Sequence, residues 1–484
     1  MKNSVLSRLH SLMNRRVILF YGAGLLSSCT SVAVKDIPTA AAAPAHSLEE
    51  IGEDELVAVD PVGSYRINLA SALRLAAGRN LELALAVEKI NHAAAKSDQA
   101  HLSILPDLAA GASFARQNGL LQEIGGAPIE TERVNHSAGL GASSGLPGVG
   151  LDLDLSRAIF DPLAAKQDKR AAVAASAARE NEVVAEAASA YFELVRAHGH
   201  LRLAREIEQA SRRLTDATRS FAEAGEGLEA DAERAMATSL LRQGDSADAA
   251  ADLQHRSAAL ARILHLPATL SLIPEDVTVA ASHLIDPDES AGRLVATALR
   301  YRPETEAMRA EVAAAAHRLH GQKISPFLPN VAAGYSNYEF GAGRGVGADR
   351  SDSRDEVAAL IYWKLEGLGF GDEADFREKR SELALVKLEE ERVLDEIAFE
   401  VTTTRAEVIA RRERLPLGAK AAKHALRAYQ LTSSRLEQSQ GLPIEALASI
   451  QTLAEARKAE IDAVLDYNLA QHRLLAALGH PPAK

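Results

Sequence analysis

Leu105-Pro106-Asp107-Leu108-Ala109-Ala110-Gly111 returns later in the chain as Leu328-Pro329-Asn330-Val331-Ala332-Ala333-Gly334, changed only by the conservative pairs Asp107/Asn330 and Leu108/Val331. Self-similarity at a long period marks a duplicated unit. Outward from this match the order is kept. Phe160 and Lys169-Arg170 align with Phe370 and Lys379-Arg380, and Glu193-Leu194-Val195 aligns with Glu407-Val408-Ile409. Gly227-Leu228 then falls on Gly441-Leu442, and Leu264 on Leu478. The body is therefore a tandem duplication, with one copy over residues 63–270, a linker with Pro and Asp over 271–290, and a second copy over 291–484.

Within each copy the hydrophobic period switches in a fixed sequence. Copy one predicts a helix over 71–103, ended by Pro106, which has no N–H and disfavours helix in the residue before it. Strands follow over 108–116 and 146–160, the alternation being clearest in Leu151-Asp152-Leu153-Asp154-Leu155. A long helix over 162–223 carries Val184, Ala187, Tyr191 and Leu194, then Ile207, Ala210, Leu214, Ala217 and Phe221, at alternating spacings of three and four. That is coiled-coil spacing. A Gly-marked tip over 224–228 reverses the chain into a helix over 229–265. Copy two predicts a helix over 292–324, strands over 331–340 and 356–365, a long helix over 374–435, a tip over 439–443 and a helix over 444–478. At about 1.5 Å per residue the long helix spans roughly 90 Å and the returning helix about 55 Å, so the first helix must stack on the returning one to cover the rest. The fold class expected is mainly α with a small β part, as a duplicated helix-strand-strand-helix-turn-helix.

The N-terminus reads as a targeting segment. Lys2, Arg8, Arg15 and Arg16 precede an apolar run over 17–26, with no acid before Cys29, which fits a signal peptide over 1–28. Met13 is an alternative start. The run is too short to span a bilayer, which takes roughly 20 residues. It ends in Leu26-Ser27-Ser28-Cys29, which resembles the lipobox of bacterial lipoproteins. The resemblance implies that Cys29, the sole cysteine, receives a diacylglycerol and a fatty acyl group; the other reading is an unreactive buried thiol. Residues 29–62, with Pro38, Pro44 and Pro61 and several acids, read as an extended tether.

The formal net charge of −12 argues against a nucleic-acid partner. Aromatics at 4% alongside abundant Ala suit closely spaced helices. No later segment is an uninterrupted apolar run long enough to cross a membrane, which leaves a β-barrel open. Catalytic patterns are not found. Gly341-Ala342-Gly343-Arg344-Gly345-Val346-Gly347 lacks dinucleotide spacing and sits between strands. His198 and His200 lack ligands at metal spacing, and 196–202 reads as a solvated face. Trp363 with Tyr362, Tyr335 and Tyr338 fits an aromatic girdle, or equally ordinary strand packing. No enzyme, metal or cofactor is expected.

The four strands expected are too few to close a barrel, whose smallest members have about eight. At this point the chain resembles the TolC-like outer-membrane efflux proteins. The resemblance rests on the duplicated element order, the strand-to-helix entry over 151–161, its counterpart Tyr362-Trp363-Lys364-Leu365 with Gly369-Phe370-Gly371, and the turn Gly225-Glu226-Gly227-Leu228-Glu229-Ala230-Asp231. It implies a homotrimer, a twelve-stranded outer-membrane barrel continued by a helical coiled-coil periplasmic tunnel, a periplasmic membrane-fusion adaptor and an inner-membrane pump. It also implies that Gly225, Gly227, Leu228, Gly441 and Leu442 dock the adaptor, and that Asp231 and Glu445 gather at the aperture. Copy two departs from the pattern in Ala448, where many members have an acid, and in its displaced Gly. The rival reading is a lipid-anchored periplasmic coiled-coil scaffold, which leaves the strands without a task.

Overall fold

The structure is a computed structural model. It describes residues 64–78, 80–122, 126–139, 149–225, 227–267, 269–275, 280–342, 351–438 and 441–479, all within the compact unit Ala58–Lys484. The expected signal peptide, Cys29 and the whole of the tether lie outside the described residues.

In chain order the elements are β1 (Ser64–Ile67), α1 (Leu69–Gly78), α2 (Leu81–Leu102), β2 (Asp107–Gln122), β3 (Pro128–Gly139), β4 (Val149–Asp154), α3 (Leu155–Glu223) and α4 (Glu229–Ile263). Then come β5 (Ser271–Pro274), α5 (Ala291–Tyr301), α6 (Pro303–Ile324), β6 (Asn330–Ala342), β7 (Ser351–Tyr362), α7 (Phe370–Glu437) and α8 (Pro443–Ala477). The chain is mainly helical with a minor antiparallel sheet. α2 and α6 both have 22 residues, and α4 and α8 both have 35, against 69 and 68 for α3 and α7.

The long helices organise the body. α3 is flanked by α2 near the sheet and by α4 near the turns, and α7 by α6 and α8 in the same way. The copies join where α3 meets α6 and α8. Coiled-coil positions face these seams: Val184, Ala187, Tyr191, Leu194, Ile207, Ala210 and Leu214 are buried, as are Ile397, Val401 and Val408. One cluster combines Leu203, Ile207 and Leu214 of α3 with Leu436 of α7 and Ile450 and Leu453 of α8, so the core crosses from one copy to the other.

Each expected first helix is broken in two. At Asn80 the backbone is extended and the side-chain oxygen accepts from the Glu82 N–H at 2.8 Å, a cap that competes with helix continuation. The Asn80 amide also donates to the Ile263 carbonyl at 3.1 Å, fastening the end of α4 to the start of α2. In copy two the break falls at Arg302, because Pro303 pushes its predecessor out of the helical region. There the Gly479 backbone lies against Arg302, where a Cβ would come within 3.0 Å, and Arg302 bonds both Glu304 and Glu400. Burial opposes the charge on Arg302, but these two carboxylates raise its pKa above the ordinary value.

The linker 271–290 holds more structure than expected. β5 pairs in parallel with β1, Tyr65 facing Leu272. Residues 280–285 are held by buried amides of α8. Asn468 accepts from the Ser282 N–H at 2.8 Å and donates to the Ala280 carbonyl at 3.0 Å. Gln471 bonds both the N–H and the carbonyl of Ile285, at 2.8 and 3.1 Å, as a neighbouring strand would. Beside them His472 is buried against the Phe192 ring, 5.1 Å between centroids, and its Nδ1 has no partner.

Two outcomes follow. Asn80→Ala should cost about 1–3 kcal/mol in thermal or denaturant unfolding, through the lost cap and an uncovered buried carbonyl, whereas Asn80→Ser, which keeps a capping oxygen, should lose less. For His472, burial pushes the pKa down to about 4. Between pH 6.5 and 4 the unfolded chain binds a proton that the folded chain refuses. Stability is thus complete above 6.5 and falls by about 3 kcal/mol as pH drops to 4. His472→Leu should flatten that part of the pH profile of unfolding.

Candidate functional site: the open sheet and the paired turns

The sheet has five strands in the order β3-β2-β4-β6-β7, with β3 also pairing β6. Consecutive residues Ala110 and Gly111 of β2 face Val149 and Gly139, so β3 and β4 share one column and the sheet has four columns. This corrects the expectation of one short second strand over 146–160. The second strand of copy one begins at Pro128, and β2 runs on to Gln122. It also stops at Asp154, whose carboxylate accepts from the Arg157 N–H at 3.1 Å and starts α3 at Leu155, ahead of the expected Pro162. The helix of copy two likewise starts earlier than expected, at Phe370.

Register assigns the faces, because paired residues in a sheet point the same way. Leu108, Leu151, Ala333 and Ala359 share one row, and Leu153, Val331 and Ile361 the next. Tyr335 and Val357 continue that face, and Leu108, Phe114, Leu120, Val357 and Ile361 are all largely exposed. The opposite face carries Asp107, Asp152, Asp154, Asn330, Arg354 and Glu356. The expected girdle is thereby divided. Trp363 follows the apolar face by alternation, while Tyr362 sits on the polar one, its hydroxyl donating to Asp152 at 3.2 Å. The side chain of Tyr338 lies outside the described ones. Among the described residues, the outer edges of β2 and β7 have no strand partner.

At the other end the two turns come together over the shared cluster of Phe221, Leu436 and Leu447. Gly225 has φ +74 and its N–H bonds the Ala222 carbonyl; the Gly227 N–H reaches back to the Phe221 carbonyl at 3.0 Å. This closes the helix through a left-handed glycine. Gly227 and Gly441 do the same work in the two copies. A Cβ on Gly227 would meet Phe221 and Ala222 at 3.2 Å, and one on Gly441 would meet Leu436 N at 2.9 Å. Leu228 and Leu442 precede the returning helices and are exposed. Asp231 lies 3.5 Å from Arg234, and Glu445 lies 3.7 Å from Arg435 across its turn, so each acid faces a cation of its own chain.

Between these ends lies a charged layer that sequence reasoning took for a solvated face. Asp466 of α8 sits between Arg196 of α3 and Arg411 of α7, 2.7 Å from each. His200 bonds Asp462 at 2.9 Å, and Gly199 lets α3 approach Ile461 of α8. Although burial alone would raise it, His200 and Arg196 hold the Asp462 carboxyl below its usual range. The correction is one of placement: these residues line the seam between copies. The partners stand some 260 residues away in sequence, which a local pattern does not reveal. Among the described residues no group of three or more His, Cys, Asp and Glu could hold a metal ion, and no helix is long and apolar enough to cross a membrane. Gly341 and Ala342 end β6; residues 343–347 of the Gly-rich run lie outside the described residues.

The family described as outer membrane efflux protein matches residues 72–264, nearly the whole of copy one. Over that stretch the chain is similar to the family. Proteins of known structure share its architecture. The outer-membrane channel OprN superposes with a TM-score of 0.70 at 20% identity, over 85% of this chain and 89% of that one. The outer membrane protein VceC from Vibrio cholerae gives 0.68 at 17%, over 85% and 96%. The open state of the MtrE outer membrane channel of Neisseria gonorrhoeae gives 0.64 at 21%, over 85% and 89%. At these identities the likeness is one of fold. No curated protein sequence matches the chain.

Glycine substitutions should separate the turns from the helix bodies. Gly441→Ala, with backbone at 2.9 Å, is expected to lose about 1–3 kcal/mol and to speed proteolysis at the turn. Gly244→Ala, inside α4 with open space around it, should gain about 0.5–1 kcal/mol in the same unfolding assay.

Proposed function

We propose that this chain is an outer-membrane channel, the exit duct of a tripartite efflux or type I secretion system. The observation that carries the reading is the sheet of four columns, with both edges open among the described residues. One face is apolar over the half next to the helices, through Leu108, Leu151, Leu153, Val331, Val357 and Ile361, and the same half of the other face carries Asp107, Asp152 and Asp154. In lipid every edge N–H and C=O must be paired, so such a sheet is stable there only when closed by further copies. Up-down alternation makes β7 of one copy antiparallel to β2 of the next. Three copies give twelve columns, with the apolar face toward lipid and the acidic face lining the lumen.

Below the barrel the helices continue the wall in the order α2, α3, α6, α7, and further down α4, α3, α8, α7. Three such walls make a periplasmic tunnel. Its far end presents Gly225, Gly227, Leu228, Gly441 and Leu442 to a periplasmic membrane-fusion adaptor, and through it to an inner-membrane pump. Asp231 and Glu445 line the aperture as acid-arginine pairs, which moderates the cation preference that a bare carboxylate ring would impose. Export by the segment 1–28 and a lipid on Cys29, followed by the tether 29–62, would anchor the assembly beside its barrel. A channel-free periplasmic scaffold accounts for the helices but not for a sheet with segregated faces.

The test is single-channel conductance of the purified full chain in a planar bilayer, alongside its mass in detergent. Stepwise conductance from a species of about three chains is expected, with cation preference falling in Asp231→Ala and Glu445→Ala. A monomer that gives no conductance would overturn the assignment.

A further inference from the structure

We propose that neighbouring chains close the lower tunnel through an ionic seam, in which Asp245, Asp248 and Asp252 of α4 lie against Lys420, Lys423 and Arg427 of α7 in the next chain. The proposal rests on the trimer reading given above and deepens it, naming the charges that decide which margin meets which.

Each stripe lies on a helix face that its own chain leaves uncovered. α4 buries Ala235, Ser239 and Ser246 along its seam with α3. At 3.6 residues per turn Leu241, Asp245, Asp248 and Asp252 fall on the side away from that seam, and all four are exposed. α7 buries Ala422 and Ala425 along its seam with α8, which puts Leu417, Lys420 and Arg427 on the far side with Lys423 at its edge, again all exposed. Asp245 and Asp252 each reach an arginine of their own helix, Arg242 at 2.7 Å and Arg256 at 3.3 Å. Among the described residues Asp248, Lys420, Lys423 and Arg427 have no ion-pair partner within the chain.

The stripes also share a level. Thr215 of α3 donates to the Ala235 carbonyl of α4 at 3.0 Å, His200 of α3 bonds Asp462 of α8 at 2.9 Å, and Gly418 of α7 lies against Glu460 of α8. Counting along these helices from each contact sets Lys420 at the height of Asp248, roughly 30 Å from the turns and so apart from Asp231 and Glu445. Rotation about the tunnel axis keeps height, so the stripes meet between neighbouring chains to within about two helical turns, the latitude that helix tilt allows. Inside one chain α3 and α8 stand between them, which holds them roughly 25–30 Å apart.

Charge then selects the mode of assembly. A two-fold pairing would set acid on acid or base on base, whereas rotation sets the acidic margin of each chain on the basic margin of the next and closes a ring. The inner seam at this height is apolar, joining Leu203 and Ile207 to Ala425 and Leu453. Salt therefore acts on the seam between chains and spares the one within.

The purified full chain in detergent would be treated with a carbodiimide, which joins a carboxylate to a lysine amine touching it and takes up the water released, with conductance measured on the same preparation. Expected are denaturant-resistant bands of two and three chains, carrying amide links from the α4 aspartates to Lys420 or Lys423, and about ten-fold fewer links as salt rises from ~0.1 to ~1 M. Reversing one stripe, in Lys420→Glu with Lys423→Glu, should lower the trimer share in detergent about ten-fold, and adding Asp245→Lys with Asp248→Lys should restore both trimer and links. A conducting trimer that forms no link between α4 and α7, or whose links and mass ignore salt and reversal, would overturn the ionic seam and leave the channel standing. Reversal without restoration would overturn it too. A monomer with no conductance would count against the channel itself.

Discussion

Backbone hydrogen bonding at the sheet edges is the constraint from which the rest of this architecture follows. β2 and β7 each offer a row of N–H and C=O groups outward, over 16 and 12 residues. In water such edges invite aggregation, and in lipid they are forbidden unless paired. Among the described residues the single chain leaves both edges of its sheet unpaired, and the proposed barrel is what would close them. The helical body carries the same division of labour, since α4 and α7 stand at the two margins of a wall in which only the inner seams are covered within one chain.

Inside the wall, specificity comes from a small number of polar groups that bond across the seams. Small side chains let the helices approach, and Ala187, Ala298, Ala314 and Ala477 are wholly buried. A seam of Ala and Leu alone would slide. Asp466, held by an Arg from each copy, and the amide pairs of Asn468 and Gln471 fix register at the level where α5 and the linker pack on α7 and α8. Such groups contribute modest net stability, but moving one out of register strands a buried charge or amide.

Much of this was legible in the sequence because it is periodic. The duplication, the two long helices, both glycine turns and the strands near the repeated motif all write themselves as spacings. β3 was missed because Pro128-Ile129-Glu130-Thr131-Glu132-Arg133 is polar on both sides, and its place is set by pairing with β2 and β6. The break at Pro303 was written in the sequence and overlooked, whereas the break at Asn80 needed sight of Ile263, 183 residues away. Of the proposed docking residues, Gly227 and Gly441 stand out by alignment of the copies. The arginines facing Asp231 and Glu445 depend on conformation that no spacing encodes.

The position of Asp466 has a consequence for the order of events during synthesis. α8 follows every other described element in the chain, and it carries the residues that join α3 to α7 and hold the linker in place. Until it packs, α3 meets the long helices of copy two only through α6, and Arg196 and Arg411 have no common partner. Contacts spanning more than half the chain are slow to form. The seam between the copies is therefore completed only when α8 packs, while the part where α3 meets α6 needs no residue of α8.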